Sequence, residues 1–267
     1  MASSTGGRHS DLRSGSLGRQ QKICVVTGGA SGLGRAIALT LAGQGMAVAI
    51  GDLQEDAGSE VVASMEDAGG TGAYWPLDVA DGASVAGFFD HVLERFGRID
   101  CAVNNAGIEG QKKFVADYPE DDWRRVVDVN LTGVFLCMKH ELNAMLPNRS
   151  GSIVNVGSTA SLRGTASMSA YTAAKHGIVG LTKSAALEYA DRNIRINAVC
   201  PGSFRTPMSD RLNDGDFSTV EQRTPMKRVA PAEEIAESVV WLALGQATFI
   251  TGVALPIDGG KLAGSPQ

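Results

Sequence analysis

From Lys22 onward the chain alternates short, nearly continuous apolar runs with longer segments whose apolar positions recur at helical spacing. Lys22-Ile23-Cys24-Val25-Val26 reads as a strand buried on both faces, and Gly32 to Gln44 as a helix with Leu33, Ile37 and Leu41 along one side. The unit then repeats. Further strands are predicted near Ala47 to Gly51, Thr71 to Leu77, Cys101 to Asn104, Ser152 to Val156, Ile194 to Val199 and Val253 to Ile257. Helices fall between most of them, with long ones over Trp123 to Leu146 and Ser169 to Tyr189. Seven strands joined by crossover helices specify an α/β fold, a doubly wound parallel sheet with helices on both faces. No Pro- or Ser-rich linker interrupts the alternation, so residues 21–267 read as a single domain.

Two stretches fall outside this rhythm. Gly202 to about Val229 is irregular and carries Pro207, Gly215, Pro225 and mixed charges. Following the sixth strand, it would overhang the carboxyl ends of the strands, where open α/β sheets bind ligands, and is expected to be a substrate loop. Residues 1–20 are rich in Ser and Gly, with Arg8, Arg13 and Arg19 and almost nothing to bury, and are expected to form a disordered tail. Their composition faintly resembles a mitochondrial presequence but lacks a convincing apolar face, and the inert reading is preferred.

Composition narrows the function. The 33 glycines cluster where predicted strands meet helices, which suggests close backbone approach to a ligand. A net charge of −5 with no strongly basic face argues mildly against nucleic acid as a partner. Cys24, Cys101, Cys137 and Cys200 are widely separated and match neither a metal spacing nor a disulfide framework, so a reducing, cytoplasmic home is the simplest expectation. His9, His91, His140 and His176 are equally scattered, and no metal site is expected. No apolar run approaches the roughly 20 residues of a membrane span.

The candidate chemistry begins at Thr27-Gly28-Gly29-Ala30-Ser31-Gly32-Leu33-Gly34, between the first strand and first helix. Its glycines allow a tight turn and leave room for a pyrophosphate at a helix N-terminus. The spacing is Gly-x-x-x-Gly-x-Gly rather than Gly-x-Gly-x-x-Gly, and a plain connecting loop is the alternative reading. Asp52 ends the second strand, where a Rossmann-type site places a carboxylate for the ribose 2′-hydroxyl. A 2′-phosphate would be repelled there, and neither Leu53 nor Gln54 offers a cation, so NAD is expected over NADP; the alternative is an acid that caps the next helix. Tyr171 and Lys175 lie four residues apart on a predicted helix, which brings an ammonium within reach of a phenol. Taking a phenol from about 10 to near 7 requires roughly 4 kcal/mol, part of which a cation can supply.

In order along the chain these segments resemble the short-chain dehydrogenase/reductase family, from about Lys22 to Gly260. Thr27 to Gly34 is similar to the family's nucleotide loop, with Gly28, Ser31, Gly32, Leu33 and Gly34 as cofactor contacts beside Asp52 and Leu53. Asp78-Val79 resembles its adenine contact, and Asn104-Asn105-Ala106-Gly107 the motif after its fourth strand. Asn130, Ser158, Tyr171 and Lys175 fall at its catalytic positions. Pro201-Gly202 with Phe204 and Thr206 resembles the segment that holds the nicotinamide, and Ile257-Asp258-Gly259-Gly260 its usual ending. Without that resemblance, Asn130 could be a satisfied core asparagine, Ser158 a strand-end cap, and Phe204, Met208 and Leu212 ordinary packing rather than an apolar wall around substrate.

The resemblance implies reversible hydride transfer between a secondary alcohol and NAD. Tyr171 would act as general acid/base, Lys175 would hold the nicotinamide ribose and keep the phenolate accessible, Ser158 would hold the reacting oxygen, and Asn130 would support a water path. The substrate is expected to be a small secondary alcohol or ketone, with a slight preference for cyclic alcohols or diols. A 3-oxoacyl thioester reductase is the alternative, and a non-catalytic dinucleotide-binding regulator a more remote one. Small residues Ala170, Ala173, Ala174, Gly177 and Gly180 on the Ser169–Tyr189 helix suggest close helix pairing. In this family equivalent helices pair across subunits, which implies a homotetramer; tight packing on the helix's own sheet is the alternative.

Overall fold

A computed structural model describes residues 21–206, 209–210 and 215–264. The expected tail at residues 1–20, and Pro207, Met208 and Leu212, lie outside the described residues. The seven strands are β1 (Ile23–Thr27), β2 (Ala47–Asp52), β3 (Thr71–Pro76), β4 (Cys101–Asn104), β5 (Gly151–Val156), β6 (Ile194–Pro201) and β7 (Ala254–Ile257). They form one wholly parallel sheet in the order β3-β2-β1-β4-β5-β6-β7, with the chain reversing direction across the sheet between β1 and β4. β1, β2 and β4 are buried along their whole length, which is why each reads as an unbroken apolar run.

The helices are α1 (Gly32–Gly43), α2 (Glu55–Asp67), α3 (Gly82–Phe96), α4 (Glu120–Val127), α5 (Gly133–Met145), α6 (Ser169–Tyr189), α7 (Ser218–Arg223) and α8 (Ala232–Ala243). They sandwich the sheet between two apolar layers. One joins Leu33, Ile37 and Leu41 of α1 to Ile235 and Val239 of α8. The other joins Phe88 and Phe89 of α3, Val134 and Met138 of α5 and Ile178 of α6. α3 is closed at both ends by its own sequence: Asp81 accepts from the Ala83 N–H, and Gly97, at φ 73°, ends it with a bond to the Leu93 carbonyl.

Two expectations change. The single helix expected over Trp123 to Leu146 is two, α4 and α5, joined by a π turn at Asp128–Thr132 that contains Asn130. A turn of i→i+5 bonding keeps the chain's direction and its apolar stripe, so periodicity does not reveal it. The irregular loop after β6 contains a short helix, α7, and is tied back by a bridge between Phe204 and Ala230 and by Arg205 lying over the Phe217 ring at 4.5 Å.

Candidate active site

The carboxyl ends of β1, β2, β4, β5 and β6 bring together most of the residues singled out from the sequence. Gly28, at φ 65°, lies against the next strand's turn: a Cβ there would come within 2.8 Å of the Ala106 Cα. At Gly34 a Cβ would overlap the Gly28 carbonyl. The Asn105 amide donates to the carbonyls of Thr27 (3.1 Å) and Gly28 (2.9 Å), while the Thr27 hydroxyl accepts from the backbone N–H groups of Asn105 and Ala106. The glycine loop and the Asn105–Gly107 turn are thus one backbone-lined platform. Helix α1 rises from it with no side-chain cap at Ser31 and no acid in its first turn. Its N-terminal amides are left to a ligand, and an anion is what they and the helix dipole favour.

Asp52 is held at the end of β2 by two backbone donors, Ala30 N–H to Oδ2 (3.0 Å) and Gln54 N–H to Oδ1 (3.1 Å). These bonds orient the carboxylate and leave lone pairs on both oxygens for ribose hydroxyls. Leu53 beside it is 72% exposed. Val79 is buried under Gly133, and the Asp78 carboxylate accepts from the Ala80 N–H. On the opposite wall, the Gly202 N–H donates to the Ile257 carbonyl, and a Cβ on Gly202 would meet Asp258 at 2.8 Å. A Cβ on Gly32 would come within 3.3 Å of Thr206, so the late loop reaches across to the glycine loop. Loop, helix N-terminus and strand-end carboxylate together fit a dinucleotide. Phe204, partly buried, packs against the layer containing α1 and α8.

The polar centre is built from β5 and α6. Lys175 is buried, and its Nζ donates to the Val156 carbonyl at 2.8 Å. Burial brings its ammonium down to about 8. Nζ lies 5.6 Å from the centre of the Tyr171 ring. Tyr171 differs from the sequence expectation: burial, with the Glu109 carboxylate, pushes its phenol up to about 12, and a hydrogen bond from Ser158 acts the other way. One of the three Lys175 donors goes to the Val156 carbonyl, and burial outweighs any help the cation gives the phenol. Ser158 caps the turn that follows β5. Its Oγ accepts from the Ala160 N–H at 3.1 Å, which leaves its own O–H to be donated.

Asn130 is fully buried in the π turn, and its amide is already committed. It donates to the carbonyls of Ile108 (2.8 Å) and Val126 (2.9 Å) and accepts from the Ile108 N–H (3.1 Å). Both donors are spent, so the side chain ties the segment after Gly107 to the helix. The space is tight: a Cβ on Gly107 would lie 2.6 Å from Asn130 Oδ1 and 3.6 Å from Lys175 Nζ.

A family model described as enoyl-(acyl carrier protein) reductase matches residues 28–261. The chain is 39% identical to a 3beta-hydroxysteroid dehydrogenase of Mediterraneibacter gnavus, covering 91% of this chain and 96% of that protein. The chain belongs to the short-chain dehydrogenase/reductase family. It is 43% identical to a cis-4-hydroxycyclohexanecarboxylate dehydrogenase of Sinomonas cyclohexanicum (91% and 97% covered). It is 38% identical to a 3-oxoacyl-[acyl-carrier-protein] reductase FabG of Thermotoga maritima (90% and 97%). Among solved structures, NAD+-bound xylitol dehydrogenase matches at a TM-score of 0.86 and 36% identity, covering 91% of this chain and all of that one. An actinorhodin polyketide ketoreductase with NADPH matches at 0.86 and 35% (90% and 97%). As a short-chain dehydrogenase/reductase, this protein is an oxidoreductase that binds a nicotinamide dinucleotide.

Sequence reasoning missed three features. The Glu109 carboxylate adds to the rise of the Tyr171 phenol. The Val156 carbonyl, which fixes Lys175, is invisible in a sequence because it is backbone. Glu141 lies buried on α5 in phase with Met138, Leu142 and Met145, so an acid on an apolar stripe was a readable signal.

Proposed function

We propose that this protein is an NAD-dependent dehydrogenase that interconverts a secondary alcohol, of the cyclic-alcohol or diol class, with its ketone. The observation that carries this reading is the buried Lys175 fixed to the Val156 carbonyl, with its Nζ 5.6 Å from the centre of the Tyr171 ring, beside the dinucleotide platform. NAD, when bound, supplies the hydride acceptor. Ser158 and Tyr171 would both reach the reacting oxygen of the substrate. In oxidation Tyr171 takes the alcohol proton, and in reduction it returns a proton to the carbonyl oxygen. Ser158 donates a hydrogen bond to that oxygen as charge develops on it. Lys175 would hold the nicotinamide ribose and offers a mobile proton, since its ammonium is brought down to about 8. Asn130 contributes by fixing the Gly107–Ile108 segment, with any relay water left to the backbone of the π turn.

Asp52 favours NAD, because a 2′-phosphate would meet a carboxylate already oriented by Ala30 and Gln54. The preference for cyclic substrates rests on relatives named for cyclohexane- and steroid-derived alcohols. A second reading, a 3-oxoacyl thioester reductase, is favoured by the Thermotoga maritima relative. The described parts of the loop after β6, residues 202–206, 209–210 and 215–229, would border the substrate, and the small-molecule reaction would take place in a cytoplasmic homotetramer.

The test is absorbance of reduced nicotinamide with NAD or NADP and a panel of cyclic alcohols, diols, steroids and polyols, followed by NADH with a 3-oxoacyl thioester. Turnover of a cyclic alcohol with NAD is expected. Activity confined to the thioester, or to NADP(H), would reverse the reading.

A further inference from the structure

Beneath the active-site floor runs a buried polar chain for which hydride transfer has no direct use. Glu141 on α5 is 0% exposed. Its Oε2 accepts from the Asn104 amide nitrogen at 3.1 Å, and that same nitrogen donates to Asn155 Oδ1 at 3.0 Å. The Asn155 amide nitrogen donates to the Thr182 hydroxyl at 2.9 Å and approaches the Met138 sulfur at 3.4 Å. Four elements are joined in this way: α5, β4, β5 and α6.

Each junction adjoins a functional segment. Asn104 and Asn155 are register partners on neighbouring strands. Asn104 runs directly into the Asn105–Gly107 turn, and Asn155 directly into Val156, whose carbonyl holds Lys175. Thr182 lies two turns along α6 from Lys175. Buried polar groups in an apolar layer are costly unless satisfied, and a satisfied network fixes one arrangement of the elements it joins.

Two atoms of this chain lack a protein partner, Glu141 Oε1 and Asn104 Oδ1, and both are acceptors if Glu141 is ionised. The titratable groups that feel the carboxyl are the free thiols of Cys24 and Cys137, with the free thiol of Cys101 beside Cys24, and none of them is a cation. Burial pushes the Glu141 carboxyl up to about 8, with the Asn104 bond acting the other way. A proton on Glu141 turns one of the two lone acceptors into a donor.

We propose that Glu141 is a positioning residue for the reaction: through the Asn104–Asn155 pair it fixes the ends of β4 and β5, and with them the Asn105–Gly107 turn and the carbonyl that holds Lys175. It does so as the neutral acid. This rests on the roles assigned above to Tyr171 and Lys175. In the unfolded chain the carboxyl ionises in the ordinary range, near 4.3, whereas the folded protein keeps it protonated to about 8. The stability due to the neutral acid is therefore full below the unfolded value and is lost as pH rises between the two.

Two variants separate positioning from mere bulk. Glu141→Gln keeps the shape with one acceptor and one donor, and cannot ionise. Glu141→Leu keeps the volume and removes both. For each we would measure the unfolding midpoint from pH 5 to 9 without coenzyme, NADH affinity by fluorescence, and kcat and KM. The wild type should lose thermal stability towards pH 8 more steeply than Glu141→Gln. Glu141→Gln should keep kcat within about threefold at pH 7 and lose less of it than the wild type above pH 8. Any titration of Lys175 is common to both proteins and cancels in that comparison. Glu141→Leu should bind NADH within about fivefold of wild type but lose at least about tenfold in kcat, with the alcohol KM changed less. A folded Glu141→Leu protein with wild-type kcat would overturn the proposal. If that variant does not fold, superimposable wild-type and Glu141→Gln curves, for stability and for kcat, would overturn it instead. Absence of turnover in the wild type would count against the dehydrogenase reading alone, because the coenzyme-free stability curves still decide whether Glu141 works as a neutral acid.

Discussion

A phenol pushed up to about 12 is a proton donor throughout the neutral range, which suits Tyr171 to the reduction of a ketone as the protein stands. Lys175, at about 8, titrates near working pH, as does the buried Glu141 beneath the site. The protonated form of Lys175 is lost as pH rises through that value, and with it the positive charge beside the Tyr171 ring. We therefore expect kcat/KM for ketone reduction to be flat from pH 6 to about 8 and to fall above it, as read from a pH–rate profile with NADH. A fall centred below pH 7 would mean that another group governs the proton. The individual residues of the site were legible in the sequence because their types and order are distinctive. The shifts on Tyr171 and Lys175 were not, because both come from burial, and burial depends on elements far apart in the chain. A cation four residues away suggested a lowered phenol; the folded protein turns that cation towards a backbone carbonyl.

At the scale of elements, the strands were the most readable part. β1, β2 and β4 are enclosed on both faces, so their sequences leave no polar positions to confuse the pattern. α6 runs from Ser169 to Tyr189 as its spacing predicts. The break between α4 and α5 was hidden because the polar residues of the π turn, Asp128, Asn130 and Thr132, are ones an uninterrupted helix also carries, and the turn keeps the chain's direction. Asn130 explains why the break persists: within the turn its side chain makes three bonds to the backbone of Ile108 and Val126. Asn130→Ala would leave those buried groups unpaired. At about 1 kcal/mol per bond, with a further desolvation penalty, the loss is about 2–4 kcal/mol. For a domain of this size that is a fall of about 5–12 °C in the unfolding midpoint, measurable by calorimetry. A change below about 2 °C would show that the turn does not depend on the asparagine.

For the molecule as a whole, the small residues of α6 divide between two tasks. Ala170 and Ala174 are buried, and Gly177 packs against Leu131, which is the packing onto its own subunit that the sequence left open. Ala173 and Gly180 face outwards, and a Cβ on Gly180 would meet nothing within 4 Å. Leu187 on the same helix is 85% exposed and Phe135 on α5 is 49% exposed. Exposed apolar groups of this kind are usual on faces that meet another copy. Light scattering should give a mass near four times 27.8 kDa, and Leu187→Asp with Phe135→Asp should reduce it. A monomeric wild type would remove the reason for those exposures.

The central claim is that this sheet carries a dehydrogenase whose proton passes through Tyr171. Its most direct test is hydride transfer by Tyr171→Phe, measured beside NADH binding to the same protein. We expect NADH affinity within about threefold of wild type and turnover of a cyclic alcohol reduced by a factor of about 10² to 10⁴, the range that general acid–base catalysis contributes. Wild-type turnover by a variant that lacks the phenol would contradict it.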